Sequence, residues 1–400
     1  MRRNGIREAV VSASGRKYRR RTSLLAALTA MGGLVLVVAG WGSTTTSSAT
    51  TSSLRKTPTS GVAVAKARAL AAEAIPSFKF RPTLPVAKVK ALAGKTIWFV
   101  SEGQSIPYFA AVYQGIQAGA SALGMNARVY DANGSVTAYN QGVRTAIAQH
   151  AAGIVLGFPP GELQPSIGAS AKAAGIPITD AGVVDLKNPL TPGDVGHVAW
   201  SYSKAGAQQA DWVIAHSNGN ASVFAVLSTG YAVQDYRLAG FTSEMKALCP
   251  KDCAVLGSQH VPFTEWTTQL PTIVTTFLTK HPSVNYVLVA ADAMVLYVQE
   301  GIQRLPNSHV IVVSSDASSY NLGLVHAGKV ELADEGEPEI WIGWAADDVI
   351  VRWLTTGAGG NEAVPLRLFT QTALPANYNN AAADFPVNLR ADFKKEWGLG

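Results

Sequence analysis

Cysteine is scarce in this sequence of 400 residues, which holds two copies, Cys249 and Cys253, in the segment CPKDC. A metal site made of thiolates and imidazoles needs about four ligands, and no pair of histidines stands at a matching spacing. We therefore expect no metal site. If the body is exported, the two thiols would close a small disulfide loop, whereas two free thiols are the alternative if it is not.

Excess basic charge is absent from most of the chain. The formal net charge is +6, but eight of the 33 Lys and Arg residues and one of the 27 Asp and Glu residues lie in 1–42. Residues 43–400 therefore hold 25 basic and 26 acidic side chains, a net charge of −1. The basic character belongs to the N-terminal leader, so we expect no nucleic-acid partner.

Templates of catalytic sites are missing as well. The sequence contains no HExxH, GxSxG or GxxxxGK[ST] motif, and no GxGxxG motif follows a predicted strand. Ser201–Lys204 matches SxxK, but no KTG segment accompanies it, so we treat the match as chance. The seven histidines stand singly. These absences argue against an enzyme and against a bound cofactor.

One long apolar run is present, Ser23–Gly40, and it carries no charged residue. Residues 1–22 form a basic n-region that stays in the cytoplasm, and the run is long enough for a signal sequence or a membrane span. We assign 23–42 to this signal or membrane segment, and cleavage and anchoring both stay open. Residues 43–94 form a Ser/Thr-rich tether and an N-terminal extension, so the folded body is expected to start near Lys95.

Residues 95–131 are the unit around which the predicted fold is organised. Lys95–Val100 is an apolar run with β-branched and aromatic residues, which predicts a buried strand. After a polar loop, apolar residues recur at helical spacing from Pro107 to Gly124. Ala127–Tyr130 is a second strand, which completes a βαβ unit. Ligands bind beyond the carboxyl ends of parallel strands, so the loop after the first strand is a candidate binding loop.

The alternation of short apolar strands and helices continues to about residue 354. It falls into two consecutive sets of βα units of similar length. This pattern predicts an α/β fold with two Rossmann-like lobes, each built on a parallel sheet.

Several segments resemble, in their order and spacing, those of the type I periplasmic substrate-binding proteins of ABC transporters, in the ribose- and sugar-binding branch. The resemblance covers about residues 92–370 and rests on the segments SEGQSIPYF, GIPITDAG, DYRLAGF, VAADAMVLY, VIVVSSDAS and LADEGEPEIWIGWAADDVIVRWLTTG. It implies two lobes joined by a three-strand hinge, which close on a small solute. It also implies no enzymatic activity, an ABC permease as partner, a monomer and an extracytoplasmic location.

The resemblance also implies lobe boundaries. The first lobe would comprise 95–199 and 338–366, and the second lobe 200–337 and 367–400. The chain would cross between the lobes at three places, near residues 200–201, 336–338 and 366–369.

Nine side chains are candidates for contact with the solute, from the predicted strand ends and from the resemblance: Ser105, Tyr108, Phe109, Phe158, Trp200, Asp235, Asp292, Asp316 and Glu335. Aromatic rings would pack on the C–H faces of a sugar, and carboxylates would accept hydrogen bonds from its hydroxyls. Alternatives stay open for some of them. Phe109 could fill the core, Trp200 could pack between lobes, and Asp292 could cap a helix.

The sequence departs from the relatives' pattern at several of these positions. Ala291 aligns with an asparagine of the relatives, Gly182 with an aspartate and Asp235 with an arginine. Arg237, two residues after Asp235, is interpreted as a structural residue. The inferred pocket is aromatic and acidic, which argues against a phosphate or carboxylate ligand. We expect a sugar or polyol. The alternatives are a cationic or aromatic solute, and a membrane-tethered sensor in place of a transport receptor.

Overall fold

Two parallel β-sheets packed with helices form the body of the protein in a computed structural model. The structure describes residues 60–157, 159–306, 308–374, 376, 378, 385 and 388–400. The helices are α1 Ser60–Ala72, α2 Val86–Lys90, α3 Pro107–Ala122, α4 Val136–Ala148, α5 Pro165–Ala173, α6 Tyr202–His216, α7 Ala232–Leu248, α8 Trp266–Lys280, α9 Val295–Gln303, α10 Ser319–Ala327, α11 Glu339–Thr356 and α12 Leu389–Glu396. The strands are β1 Thr96–Ser101, β2 Asn126–Asp131, β3 Gly153–Gly157, β4 Ile178–Asp180, β5 Val198–Ala199, β6 Ala221–Ser228, β7 Cys253–Val261, β8 Tyr286–Val289, β9 Ile311–Ser315, β10 Glu331–Gly336, β11 Glu362–Ala363 and β12 Arg367–Thr370.

The first lobe is built on a four-stranded sheet in the order β2-β1-β3-β4, and all neighbouring strands are parallel. One face of this sheet packs against α3 and α11, and the other against α4 and α5. Because helices cover both faces, the central strands β1 and β3 are almost continuously apolar and buried. The strand and helix predicted around residues 95–131 are both present.

The second lobe is built on a six-stranded sheet in the order β12-β10-β9-β8-β6-β7. Its strands are parallel except β12, which pairs antiparallel with β10. Helices α1, α6 and α7 pack on one face, and α8 and α9 on the other. Cys249 and Cys253 form a disulfide between the end of α7 and the start of β7, so the predicted disulfide is confirmed.

Both sheets share one strand order, since the first strand of each lobe lies between its second and its third. This arrangement creates a topological switch point at the carboxyl ends of the central strands, where open α/β sheets bind ligands. The chain passes between the two sheets from β5 to α6, from β10 to α11 and from β11 to β12. The α/β prediction with two parallel-sheet lobes is confirmed.

The folded body extends well before Lys95, contrary to the prediction. Helix α1 packs its small side chains, such as Ala65 and Ala69, against α6 and α7 of the second lobe. Further on, Arg81 reaches the first lobe, where its Nη1 lies 3.1 Å from Oδ2 of Asp348 on α11. The segment 60–94 is therefore part of the body. The predicted segments 1–22 and 23–42, and residues 43–59 of the tether, lie outside the described residues.

The assignment of residues 367–400 to the second lobe is wrong for the C-terminal helix. Helix α12 packs on α11 of the first lobe, where Trp397 stacks on Trp344 with ring centroids 5.2 Å apart. The indole Nε1 of Trp397 donates to Asp348 at 2.8 Å, and Arg352 pairs with Glu396 at 2.7 Å. Apolar residues spaced four apart give α12 one buried face, and that face meets the first lobe.

No helix among the described residues is long and apolar enough to cross a membrane.

Two glycines bring the backbones of α3 and α11 into direct contact. A Cβ added at Gly343 would lie 2.5 Å from the backbone of Val112 and of Ile116, and one added at Gly115 would lie 2.4 Å from the carbonyl oxygen of Ile340. Backbone atoms of two packed helices cannot move aside as a flexible side chain can. The first lobe therefore depends on glycine at this crossing.

We expect Gly343→Ala to lower the free energy of unfolding by roughly 1–3 kcal/mol, because the new methyl group overlaps backbone atoms of α3. Gly323 in α10 is a matched control, since a Cβ there meets nothing within 4 Å. Gly323→Ala should be neutral or stabilising by about 0.5–1 kcal/mol. Urea denaturation followed by circular dichroism measures both, and equal stabilities of the two variants would contradict the close crossing.

Candidate functional site

A cavity of about 70 Å³ lies where the carboxyl ends of strands from the two lobes face each other. At about 30 Å³ for each water molecule, that volume holds roughly two waters, or part of one small solute. Residues after β1, β4 and β5 form the wall from the first lobe, and residues after β6, β7, β8 and β9 form the wall from the second. The polar wall residues are Glu102, Ser228, Gln234, Arg237 and Asp316, and the aromatic ones are Tyr108, Phe109, Trp200, Tyr202, Tyr231 and Trp266.

The aromatic rings of the first lobe and of the crossover from β5 to α6 are held in fixed orientations. Trp200 and Tyr202 stack with ring centroids 4.5 Å apart. The hydroxyl of Tyr108 donates to the carbonyl oxygen of Ala181 at 3.1 Å, and the hydroxyl of Tyr202 donates to that of Gly182. Because these hydroxyl groups are already bonded, the rings present mainly their faces and edges to the cavity.

Gly182 explains one departure from the relatives' pattern. Its backbone has φ +73°, and an added Cβ would lie 2.2 Å from the hydroxyl oxygen of Tyr108 and 2.6 Å from the ring of Trp200. A side chain at this position is therefore excluded both by backbone conformation and by space. The aromatic wall occupies the room that the relatives' aspartate would need.

Arg237 forms part of the second-lobe wall, a position that its sequence context did not predict. Its guanidinium is almost fully buried and lies 2.5 Å from Glu335 and 2.8 Å from Glu337. Its Nε has no hydrogen-bond partner among the described residues. The two carboxylates raise the pKa of Arg237, against the effect of burial, so it stays charged and can donate to a solute.

Asp235 and Glu335 do not line the cavity, contrary to expectation. Asp235 is exposed in the first turn of α7 and pairs with His260 at 2.8 Å. Residues two apart on a helix point in nearly opposite directions, so Arg237 faces inward while Asp235 faces solvent. Glu335 lies behind Arg237 and orients its guanidinium.

Asp316 lies on the cavity wall after β9, as the strand-end argument predicted. Its φ is +115° and that of Ala317 is +58°, so the loop that carries it is conformationally strained. The loop is held by the predicted candidate Asp292, whose backbone N–H donates to Asp316 Oδ2 at 3.1 Å and whose carboxylate accepts from the N–H of Ser318 at 2.7 Å. Asp292 therefore supports the loop from behind and is not a wall residue.

Among the other predicted residues, Tyr108, Phe109 and Trp200 lie on the wall. All three also belong to the apolar cluster of the first lobe, so each of them both fills the core and lines the cavity. Ser105 is exposed and lies outside the wall. Phe158 lies outside the described residues.

Glu102 and Tyr231 join the two walls, a pairing that was not predicted from the sequence. Tyr231 precedes α7 in the second lobe, and its hydroxyl donates to the carboxylate of Glu102, which follows β1 in the first lobe. Burial raises the pKa of Glu102 to about 8. Burial, with repulsion by Asp292, raises the pKa of Asp316 well above its usual range. The position of Glu102 directly after a buried strand was the available signal.

Two Rossmann-like lobes that enclose a polar and aromatic cavity define the class of bilobed solute-binding proteins. A family model described as the periplasmic binding protein domain matches residues 97–352. Because this match spans more than half of the chain, the protein belongs to that family. The family consists of extracytoplasmic solute receptors and not of enzymes. A search of curated protein sequences found no match.

Solved structures of type I periplasmic binding proteins share the fold. A galactofuranose binding protein is 17% identical, with a TM-score of 0.61 over 76% of this chain and 99% of that chain. The binding component of an arabinose ABC transporter from Shewanella sp. ANA-3 is 21% identical, with a TM-score of 0.60 over 76% and 95%. The myo-inositol binding protein of Caulobacter is 19% identical, with a TM-score of 0.61 over 74% and 96%. The predicted type I fold is confirmed.

We expect a pH-dependent difference between the wild type and Glu102→Gln. The native pKa of Glu102, about 8, exceeds the ordinary value of 4.5, so the native state binds more protons than the unfolded state between these values. The contribution of Glu102 to stability is therefore full below about pH 4.5 and is lost as the pH rises through 8. The free energy of unfolding of the wild type minus that of the variant should fall from pH 5 to pH 9. A constant difference in urea denaturation would contradict the burial of Glu102, and the exposed Glu300→Gln controls for the loss of a carboxylate.

Proposed function

We propose that this protein is an extracytoplasmic receptor that captures a small sugar or polyol between its lobes and delivers it to an ABC importer. The observation that carries the proposal is the cavity itself, in which both lobes supply walls and aromatic faces alternate with hydrogen-bonding side chains. The family and the fold support a receptor, and the side chains of the cavity indicate which kind of solute it would bind.

The chemistry of the wall suits a polyhydroxylated ring. The faces of Trp200 and Tyr108 would pack on C–H groups. Asp316 would accept hydrogen bonds from hydroxyls, and Arg237 Nε and the Gln234 amide would donate to hydroxyl oxygens. The neighbours named for galactofuranose, arabinofuranose and myo-inositol are consistent with this chemistry.

Capture would work by closure of the lobes. A solute that contacts both walls favours the closed state by its differential affinity for that state. The bond from Tyr231 to Glu102 crosses the cleft beside the cavity and exists only while the walls are together. The solute and this bond would therefore stabilise the same closed arrangement.

The partner would be a membrane permease, and the receptor would act as a monomer. Export would use residues 1–42, with 23–40 either cleaved as a signal or retained as a membrane anchor. Retention would also suit a membrane-tethered sensor that reports occupancy to another protein without transport. Sequencing the N-terminus of the protein isolated from its cells distinguishes a cleaved leader from a retained one.

A cationic solute is a second candidate, and the charge around the cavity favours it. Among the residues that the structure describes, Glu102 and Asp316 lie on the wall, Glu335 and Glu337 lie directly behind it, and Arg237 is the one basic side chain on the wall. An ammonium group among aromatic rings and carboxylates gains cation–π attraction and offsets the negative charge. Of these two wall residues, Glu102 is buried and Asp316 is half-buried.

We expect thermal melting of the purified protein to identify the solute class. A ligand at a hundred times its dissociation constant stabilises by about 2.7 kcal/mol, which raises the melting temperature by several degrees. Sugars and polyols should raise it, while amines, amino acids and aromatic acids should not. Asp316→Asn should weaken binding by roughly 10–100-fold, because an NH₂ group replaces an acceptor oxygen and leaves a buried hydroxyl of the solute without its partner, which costs about 1–3 kcal/mol. Asp235→Asn, outside the cavity, should bind like the wild type.

Each outcome of the panel has a distinct meaning. A response to amines alone would overturn the sugar proposal in favour of the cationic solute. A response that survives Asp316→Asn would move the binding site away from this cavity. No response to any compound, in a protein that melts cooperatively, would contradict both solute classes.

A further inference from the structure

Three carboxyl groups meet beneath the loop that carries Asp316, on the side away from the cavity. They belong to Asp292, Glu331 and Asp334, which are 3%, 0% and 0% exposed. One oxygen atom from each lies within 4.8 Å of the other two. Three oxygens at such distances can reach a single cation, whose bonds to carboxylate oxygens are about 2.0–2.6 Å long.

A β-bulge brings two of these carboxyl groups together. Glu331 and Asp334 are three residues apart on β10, and in a regular strand they would point to opposite faces of the sheet. The pairing register of β10 with β9 shifts between Glu331 and Ala333. Bulges of this kind re-aim side chains next to functional sites. Here the bulge turns both carboxyl groups toward Asp292, which follows β8 on the other side of β9.

Each carboxyl group is oriented by one N–H donor. The outer oxygen accepts this bond, and the other oxygen faces the cluster, which is how ligands of metal ions are fixed by their surroundings. The pairs are Ser318 N with Asp292 Oδ2 at 2.7 Å, Ala317 N with Asp334 Oδ1 at 3.1 Å and Asn321 Nδ2 with Glu331 Oε2 at 3.0 Å.

Two of the three inward oxygens lack a hydrogen-bond donor among the described residues, and none of the three carboxylates has a basic partner there. Asp292 Oδ1 and Asp334 Oδ2 are buried and have no hydrogen-bond partner among the described residues. The remaining oxygen of Glu331 accepts from the hydroxyl of Ser314. No ion pair within the described part of the chain includes any of the three carboxylates. Burying unpaired carboxylates in this way costs several kcal/mol each.

Two chemistries could relieve this cost, protons or a cation. Burial raises the pKa of Asp292 to about 7, and burial with mutual repulsion raises those of Glu331 and Asp334 well above their usual range. The N–H and O–H groups named above donate to carboxyl oxygens and favour ionisation, while the Asp292 and Asp334 carboxyl groups are also close enough to share a proton. A divalent cation would satisfy both unpartnered oxygens and all three carboxylates at once, which a single shared proton cannot do.

We propose that Asp292, Glu331 and Asp334 hold a divalent cation in the second lobe. A set of carboxylate oxygens, with the Ser314 hydroxyl beside it, selects hard cations such as Ca²⁺, Mn²⁺ and Mg²⁺. Such a site needs no thiolate or imidazole ligand, so the absence of a Cys/His motif from the sequence does not argue against it. Because the ligands are buried, the cation would be acquired during folding.

The cation would act on the solute cavity through the Asp316 loop. Two of its ligands hold that loop by its backbone, at Ala317 and Ser318, and the N–H of Asp292 donates to Asp316 itself. Loss of the cation would leave three repelling carboxylates under a strained loop. The second lobe should then be less stable, and Asp316 less firmly placed.

The test measures metal content and melting temperature without any solute. The purified protein is unfolded in urea with a chelator, freed of both, and refolded with Ca²⁺, Mn²⁺, Mg²⁺ or no added cation. We expect one cation per chain to survive desalting, by elemental mass spectrometry. We also expect a melting temperature higher by roughly 4 °C or more than that of the cation-free protein. Asp334→Asn and Glu331→Gln should abolish both effects, and Asp235→Asn, an exposed carboxylate of the same lobe, should retain them.

The wild type alone decides the matter if a variant fails to fold. Failure of the wild type to retain any of the three cations, with one melting temperature under all conditions, would overturn the proposal. So would a higher melting temperature of Asp334→Asn than of the wild type in every condition, since shared protons would then satisfy the cluster. Neither result depends on solute binding, so it leaves the receptor function to be judged by its own test.

Discussion

The buried ion pairs of Arg237 are the interaction on which the site depends. A guanidinium removed from water must be paired, because its desolvation costs several kcal/mol. Its partners are Glu335, near the end of β10, and Glu337, in the connection from β10 to α11. One side chain of α7 therefore fixes both a wall of the cavity and a strand by which the chain crosses between lobes.

The helices of the second lobe are shaped to place this arginine. A Cβ at Gly206 of α6 would lie 1.9 Å from the carbonyl oxygen of Arg237, and one at Gly240 of α7 would lie 2.0 Å from that of Ser203. The two backbones touch, which brings Arg237 toward the crossover instead of toward solvent. Its guanidinium lies 5.3 Å from the ring centroid of Tyr202, the second aromatic residue after β5. Packing, charge and the aromatic wall are thus linked at one residue.

Charge inside the second lobe is distributed very differently from charge over the chain. Residues 43–400 are almost neutral as a set, but carboxyl groups outnumber basic groups at the carboxyl ends of the strands. In a medium of low dielectric constant, such an excess repels anions and attracts cations or hydrogen-bond donors. The same negative electrostatic field would therefore select the proposed solute on one side of the Asp316 loop and the proposed cation on the other side.

Sequence periodicity was sufficient for the architecture and for part of the site. Strand ends predict that the loop of Tyr108 lies on the wall because parallel strands bring their carboxyl ends to one edge. The family resemblance adds Trp200, at a crossover between lobes, and Asp316, after a strand of the second lobe. The choice between Asp235 and Arg237 depends on the rotation of α7, which a difference of two residues reverses. The alignment of short motifs does not determine that rotation, so it could not show which of the two residues faces the cavity.

Features that depend on tertiary contacts could not be predicted. The bond between Glu102 and Tyr231 joins residues 129 positions apart. The carboxyl cluster requires a β-bulge, and nothing in the residues around Leu332 marks it. Helices α1 and α12 have plain amphipathic or alanine-rich patterns, which indicate that a face is buried but not which lobe buries it.

The N-terminal extension adds a constraint on how the lobes can move. Helix α1 is fixed to the second lobe, and Arg81 is bonded to the first, so residues 73–80 connect two lobes that would separate in the proposed opening of the cleft. Eight residues span at most about 26–29 Å, which sets a limit on separation. The segment Pro76–Arg81 lies beside residues 200–201 and 361–366, where the chain crosses between lobes. Points near a hinge axis move little as the lobes rotate. The extension therefore permits opening about that axis and resists twisting or sliding of one lobe against the other.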